Sequence, residues 1–214
     1  RKINSDIRTA FEIKGNILKT GAKGPLMMCK SEIRNSHGEL LTTASLKASY
    51  VEDSLLQQKR EDKPIVVVDS NCNFPIKINS NYKEKKMTFI DTLLFIDQET
   101  KPSNATFSYT YPVDHPCTKG HFPNNPVMMG VMQLTGVEDA CLALAQQQNL
   151  TDTTIHCDAT LKNQFGDVVA VLKKVVIEAN ASYSNIKSIK KISFKSMMFP
   201  GDTLYTYLQN ITYS

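Results

Sequence analysis

No run of apolar residues in this 214-residue chain approaches the roughly 18 that a membrane-crossing helix needs, so no span is expected. Cysteine is sparse and unpatterned. Cys29, Cys72, Cys117, Cys141 and Cys157 include no CxxC, and an odd count makes a poor disulfide framework. Reduced thiols in a cytoplasmic protein are the expectation. Charge of one sign is also lacking: 25 Lys and Arg against 21 Asp and Glu leave a formal +4, too mild to argue for nucleic acid. Absent too are a G-x-S-x-G elbow, a repeat, a low-complexity tract and any signal-peptide character in Arg1 to Thr9. Asp114-His115-Pro116-Cys117 and His156-Cys157-Asp158 lack zinc-site spacing, so no metal is called for. What remains is a chain that is 41% apolar, enough for one large or two small domains with a real core.

The informative stretch is Lys119-Gly120-His121-Phe122-Pro123-Asn124-Asn125-Pro126-Val127-Met128-Met129-Gly130 and the apolar run behind it. Pro123 and Pro126 forbid a helix and hold an extended loop. From Gly130 onward Leu134, Val137, Cys141 and Leu144 recur at helical steps, with Met132, Ala140, Ala143 and Ala145 on the other sides. An all-round apolar helix is a buried one. The spacing therefore predicts a buried helix over about residues 130 to 147, ending in Gln146-Gln147-Gln148-Asn149. It aims an imidazole and the unpaired N–H groups of a helix start at one small region.

Elsewhere the pattern is mostly of strands. Residues 1–53 read as a β-hairpin-rich segment, with Asn35-Ser36-His37-Gly38 as the turn and His37 a turn residue. Residues 54–85 read as a charged and polar linker. Residues 86–214 hold strand-like runs at Leu93 to Asp97 and Ala105 to Tyr111, and the helix. A long β-type stretch from Val168 to Ile177, split by Lys173-Lys174, is followed by Ile186 to Phe199 and Leu204 to Ile211.

Gly120 to Pro123 and Val127 to Val131 resemble the hallmark of the 3-hydroxyacyl-acyl-carrier-protein dehydratases of fatty-acid synthesis. A second match in order lies at Ile192-Ser193-Phe194-Lys195 and Phe199-Pro200-Gly201-Asp202-Thr203-Leu204, similar to the family's strand and Pro-Gly-Asp turn. The resemblance covers about residues 86 to 214. It implies an α+β hot-dog fold, a long central helix wrapped by a curved antiparallel sheet. In the family's pattern further long strands follow the Pro-Gly-Asp turn, and Phe11 to Tyr50 looks like those strands. The expectation is thus a permuted unit or a piece of a tandem or double hot-dog, with Phe11 to Tyr50 in the same sheet. A homodimer or an internal pseudo-dimer is expected with it.

Dehydrating a 3-hydroxyacyl thioester needs a base for the C2 proton, an acid for the leaving C3 hydroxyl and donors for the thioester oxygen. No cofactor is required. By resemblance His121 is the base and the Gly130 N–H the oxyanion donor. Phe122, Pro123, Val131 and Thr135 are the implied substrate-binding residues. The family's helix Glu or Asp falls here on Thr135, fourteen residues after His121, and Met129 replaces the usual Pro. A threonine hydroxyl is a poor acid near neutral pH. Glu138 and Asp139, three and four residues on, are the nearest replacements, and each is equally readable as a structural carboxylate. The implied partner is an acyl thioester on an acyl carrier protein, in fatty-acid or polyketide-type lipid metabolism. Lys173, Lys174, Lys187, Lys190, Lys191 and Lys195 offer a docking surface for an acidic carrier. The alternatives are a non-catalytic structural or acyl-binding subunit of a synthase, to which Thr135 points, and an acyl thioesterase.

Overall fold

The computed structural model describes residues 7–12, 20–21, 24–35, 37–49, 64–65, 76–77, 88–98, 100–118, 121 and 126–214. The chain divides into two compact units, Arg1–Arg60 and Glu61–Ser214. The region read as a linker, 54–85, lies almost entirely outside the described residues.

In the first unit β1 (Ile7–Glu12), β2 (Thr20–Gly21), β3 (Gly24–Asn35) and β4 (Leu40–Ser49) form one antiparallel sheet. Asn35 builds the β3–β4 turn. Its Oδ1 accepts the N–H groups of His37 at 3.0 Å and Glu39 at 2.9 Å. Gly38 takes the left-handed φ of +81° that favours glycine. Among the described residues, no ladder pairs the strands of residues 7–49 with the sheet around the helix. β1, β2 and β4 all bond to β3, and the second sheet is assembled from later strands.

That second sheet has seven strands. They are β5 (Ile76–Lys77), β6 (Thr92–Ile96), β7 (Ala105–Thr110), β8 (Thr153–Asn163), β9 (Val168–Ala179), β10 (Ser184–Phe194) and β11 (Thr203–Tyr213). Their order is β10-β9-β8-β11-β7-β6-β5, antiparallel throughout. Helix α1 (Gly130–Gln147) packs against β9, β10 and β11. One long helix on a large antiparallel sheet is the hot-dog arrangement. Val137, Ala140, Cys141, Leu144 and Ala145 of α1 are fully buried or nearly so, as are Ile155, Leu161, Leu172, Ile177 and Leu208 of the sheet. At about 1.5–3 kcal/mol for each large side chain, this seam is the main stabilising term of the unit.

Strand β8 has no counterpart among the sequence expectations. Its inward residues, Ile155, Cys157, Ala159 and Leu161, alternate with His156, Asp158, Thr160 and Lys162. Cysteine and alanine make that alternation faint on any hydropathy scale. The Val168 to Ile177 stretch is one strand with an irregularity rather than two segments. Opposite the shift in β8–β9 pairing, Asp158 accepts the Lys173 ammonium at 2.8 Å and the Lys174 N–H at 2.9 Å. Lys174 there has a φ of +53°, as a bulge demands.

The Pro200-Gly201-Asp202 turn fixes the approach to α1. Gly201, at φ +90°, donates to the Tyr111 carbonyl at 2.7 Å, and Tyr111 N–H returns a bond to the Asp202 carbonyl at 2.9 Å. The Asp202 carboxylate, 1% exposed, accepts the Phe199 N–H at 2.8 Å and the Gln164 amide at 2.7 Å. Gln164 in turn accepts the Thr203 N–H at 3.0 Å. Just before the turn, the Met198 carbonyl receives the Met128 N–H at 2.8 Å, tethering the residues that lead into α1. Removing the carboxylate strands two part-buried donors. Asp202→Ala should therefore cost about 2–3 kcal/mol, read as a lower urea midpoint at unchanged slope.

Candidate active site

His121 and residues 126–130 are described on the path into α1, whereas Phe122 and Pro123 lie outside the described residues. The His121 ring is anchored: Nδ1 lies 2.8 Å from the Val127 carbonyl oxygen. A carbonyl only accepts, so Nδ1 carries the proton and the lone pair of the neutral ring sits on Nε2. The same backbone segment that holds this ring runs on through the Met128 tether to Gly130.

Helix α1 starts uncapped. Met129 is extended (φ −62°, ψ 143°) and gives no side-chain cap, and the first turn has no acidic residue. Bonds to the Met129 carbonyl begin with Met132 N–H at 3.0 Å, so the amides of Gly130 and Val131 precede the helical ladder and point out of its positive end. Glycine at 130 is set by its neighbour. A Cβ there would meet Cζ of Phe194 at 2.5 Å. Phe194 ends β10 and is 53% exposed, so its ring lies half in solvent against the start of the helix.

The helix is not buried all round, as its composition suggested. Val131 is 61% exposed, and Leu134, Thr135 and Glu138 on the same side are half-buried. The Thr135 hydroxyl donates to the Val131 carbonyl at 3.0 Å, which commits its proton to the helix backbone. The two carboxylates, adjacent in sequence, part company in space. Asp139 is 3% exposed and accepts the Phe89 N–H at 2.8 Å. Next to it Gly136 lets the chain come close: a Cβ at 136 would sit 3.1 Å from the Phe89 carbonyl oxygen. Glu138 stays on the half-open side with Thr135.

His115 is buried among aromatic rings, 5.9 Å from Phe89 and 5.6 Å from Tyr111, and its Nδ1 accepts the Cys117 N–H at 3.2 Å. Burial pushes the Tyr111 hydroxyl above its ordinary range, with Cys117 adding to the effect. Cys141 is held well above the usual thiol range by its hydrogen bond to Cys157 and by burial. His156 reaches Ser214 Oγ at 3.3 Å. Among the described residues no group of three His, Cys, Asp or Glu side chains gathers as a metal-ligand set. Of the lysines, Lys173 pairs with Asp158 and Lys187 with Glu178 at 3.2 Å. Lys190, Lys191 and Lys195 are exposed along and just beyond β10, an edge strand on which lysine also blocks edge-to-edge pairing.

The structure thus brings His121, Gly130 and Val131 to one end of α1, and leaves Glu138 on its open side and Asp139 on its closed side. Phe194 entered the sequence reading only as part of the Ile192 to Lys195 match, and Phe89 and Gln164 not at all, because nothing local marks a partner 64, 50 or 38 residues away. The Gly130–Phe194 contact predicts a coupled pair. Gly130→Ala alone should destabilise by about 1–3 kcal/mol through overpacking. In a Phe194→Ala background the same change should be neutral or stabilising by up to about 1 kcal/mol, since alanine is the better helix former. Urea unfolding of the four proteins in the cycle reads this directly.

A family model described as ApeI-like, ApeI dehydratase, matches residues 97–212. No curated protein matches the chain. The matched span begins just after β6 and takes in His121, all of α1, Phe194 and the Pro-Gly-Asp turn.

Proposed function

The chain belongs to the ApeI-like dehydratase family, and from that premise we propose that it removes water from a 3-hydroxyacyl thioester carried on an acyl carrier protein. The observation that carries the reading is the pairing of an oriented imidazole with an uncapped helix start: His121 bonded to Val127, and Gly130 three residues further on. The pathway proposed is fatty-acid or polyketide-type biosynthesis.

In this reading the thioester oxygen accepts from the Gly130 N–H, with the Val131 N–H and the helix dipole assisting. Negative charge building on that oxygen as C2 loses its proton is then stabilised. Nε2 of His121 takes the proton, and the Nδ1–H bond to the Val127 carbonyl supports the imidazolium that forms. The C3–O bond breaks, the hydroxyl leaves with a proton as water, and the enoyl thioester remains. Glu138 is the proposed acid. It shares the half-open side of α1 with Thr135, whereas Asp139 faces the interior at Phe89 N–H. Glu138 lies about 4.5 Å along the axis from Thr135, so the C3 hydroxyl would sit deeper than where a carboxylate at 135 would serve it. Val131, Thr135, Phe122 and Pro123 are proposed to contact the substrate. The exposed lysines 190, 191 and 195 suit an acidic carrier, and the half-open apolar side of α1 suits a second copy, so we propose a dimer.

One observation favours a second reading. A Thr135 hydroxyl donated into the helix cannot protonate a leaving group, as in a subunit that retains the fold without the chemistry. Hydration of an enoyl thioester by the purified protein separates the two. His121→Ala should lower kcat/KM by about 10²–10⁴-fold, and Glu138→Gln by a comparable factor. Asp139→Ala should instead lower the urea midpoint. Unchanged turnover in His121→Ala sinks the dehydratase assignment. Turnover that appears only in Thr135→Glu marks a non-catalytic subunit.

A further inference from the structure

Phe194 occupies an unusual position. Its ring is half in water on an edge strand, yet its atoms touch the one glycine of the helix start. The ring is held there from both directions. Phe194 pairs with Ala170 of β9, and Lys195 N–H bonds the Val169 carbonyl at 2.8 Å. Four residues beyond Phe194 the Met198 carbonyl holds the Met128 N–H at 2.8 Å. Strand end and helix start therefore run side by side, and the ring is fixed against Gly130 by main-chain bonds on each side of it.

Direction matters as much as contact. In an α-helix every Cα–Cβ bond tilts toward the N-terminus, and the unpaired N–H groups of the first turn point the same way. A ring filling the Cβ position of Gly130 stands beside any oxygen that accepts from the Gly130 N–H. A thioester carbonyl is flanked by C2 and by sulfur; with the acyl side toward the ring, substituents on C2 meet it first. A straight acyl chain can pass along its face, whereas a branch at C2 collides with it.

We propose that Phe194 is a specificity-determining residue that excludes 2-branched acyl thioesters, an inference that rests on the dehydratase reading of the same site. The ratio of kcat/KM for a 2-methyl-branched enoyl thioester to that for the straight one of equal length tests it. Phe194→Ala should raise this ratio on the order of tenfold or more, the size expected for one methyl group in a shaped pocket. An unchanged ratio overturns the inference. A binding measurement makes the test independent of turnover. The chain has no tryptophan, so Phe194→Trp places a single indole beside Gly130. Titration with a saturated acyl-pantetheine thioester, which has no hydroxyl to lose, should give a saturable change in emission. The 2-methyl analogue should require on the order of tenfold higher concentration. No emission change with the straight thioester, or equal affinity for both, overturns the inference. If the wild type hydrates neither substrate, the dehydratase reading fails, and the titration alone decides the role of Phe194.

Discussion

A single buried carboxylate, that of Asp202, organises the approach to the helix. A carboxyl group that is 1% exposed needs hydrogen-bond partners, and Phe199 N–H and the Gln164 amide are among them. Gln164 follows β8, Phe199 follows β10, and Tyr111, bonded twice to the same turn, follows β7. Three strand ends are thereby drawn to one point. The Met198–Met128 bond carries that rigidity across to the start of α1. A small shift in the turn would move the helix start, and with it the amides of Gly130 and Val131.

The helix start is built to leave its amides available. A Ser, Thr, Asp or Asn at the capping position would satisfy them internally, and Met129 does not. No acidic side chain of the first turn neutralises the positive end of the dipole either. Stability is surrendered at this point and regained in the packed seam between α1 and the sheet. Fixing His121 through Nδ1 to Val127 follows the same logic, since the bond that restrains the ring also selects the nitrogen able to accept a proton. Gly130 also admits the Phe194 ring to its Cα.

The departure from the dehydratase pattern at Thr135 gains its meaning from the helix geometry. Asp139 faces inward and secures the chain at Phe89. Its neighbour Glu138, rotated by about 100° on a helix of 3.6 residues per turn, remains on the half-open side with Thr135 and Val131. Two carboxylates that look interchangeable in sequence therefore lie in different surroundings. One satisfies a main-chain donor in the interior, and the other stays on the half-open side of the helix.

The sequence by itself determined the features that depend on neighbours along the chain. The apolar steps after Gly130, with prolines before and glutamines after, define the helix Gly130–Gln147. Asn35 and Gly38 define the β3–β4 turn, and Gly201 defines the turn of Pro-Gly-Asp. Backbone propensity, proline geometry and left-handed φ all act over a few residues, so each is legible in a short window. Only the tertiary structure decided the rest. β8 emerged because Cys157 and Ala159 are buried in the core rather than because they are strongly apolar. The pairing of β1, β2 and β4 each with β3 is likewise a matter of the folded chain. The Asp139–Phe89 bond, the Gln164–Asp202 bond and the ring of Phe194 on Gly130 all join residues tens of positions apart. Their free energy appears only when desolvation and close packing bring the distant partners together, and no local pattern encodes which partner that is.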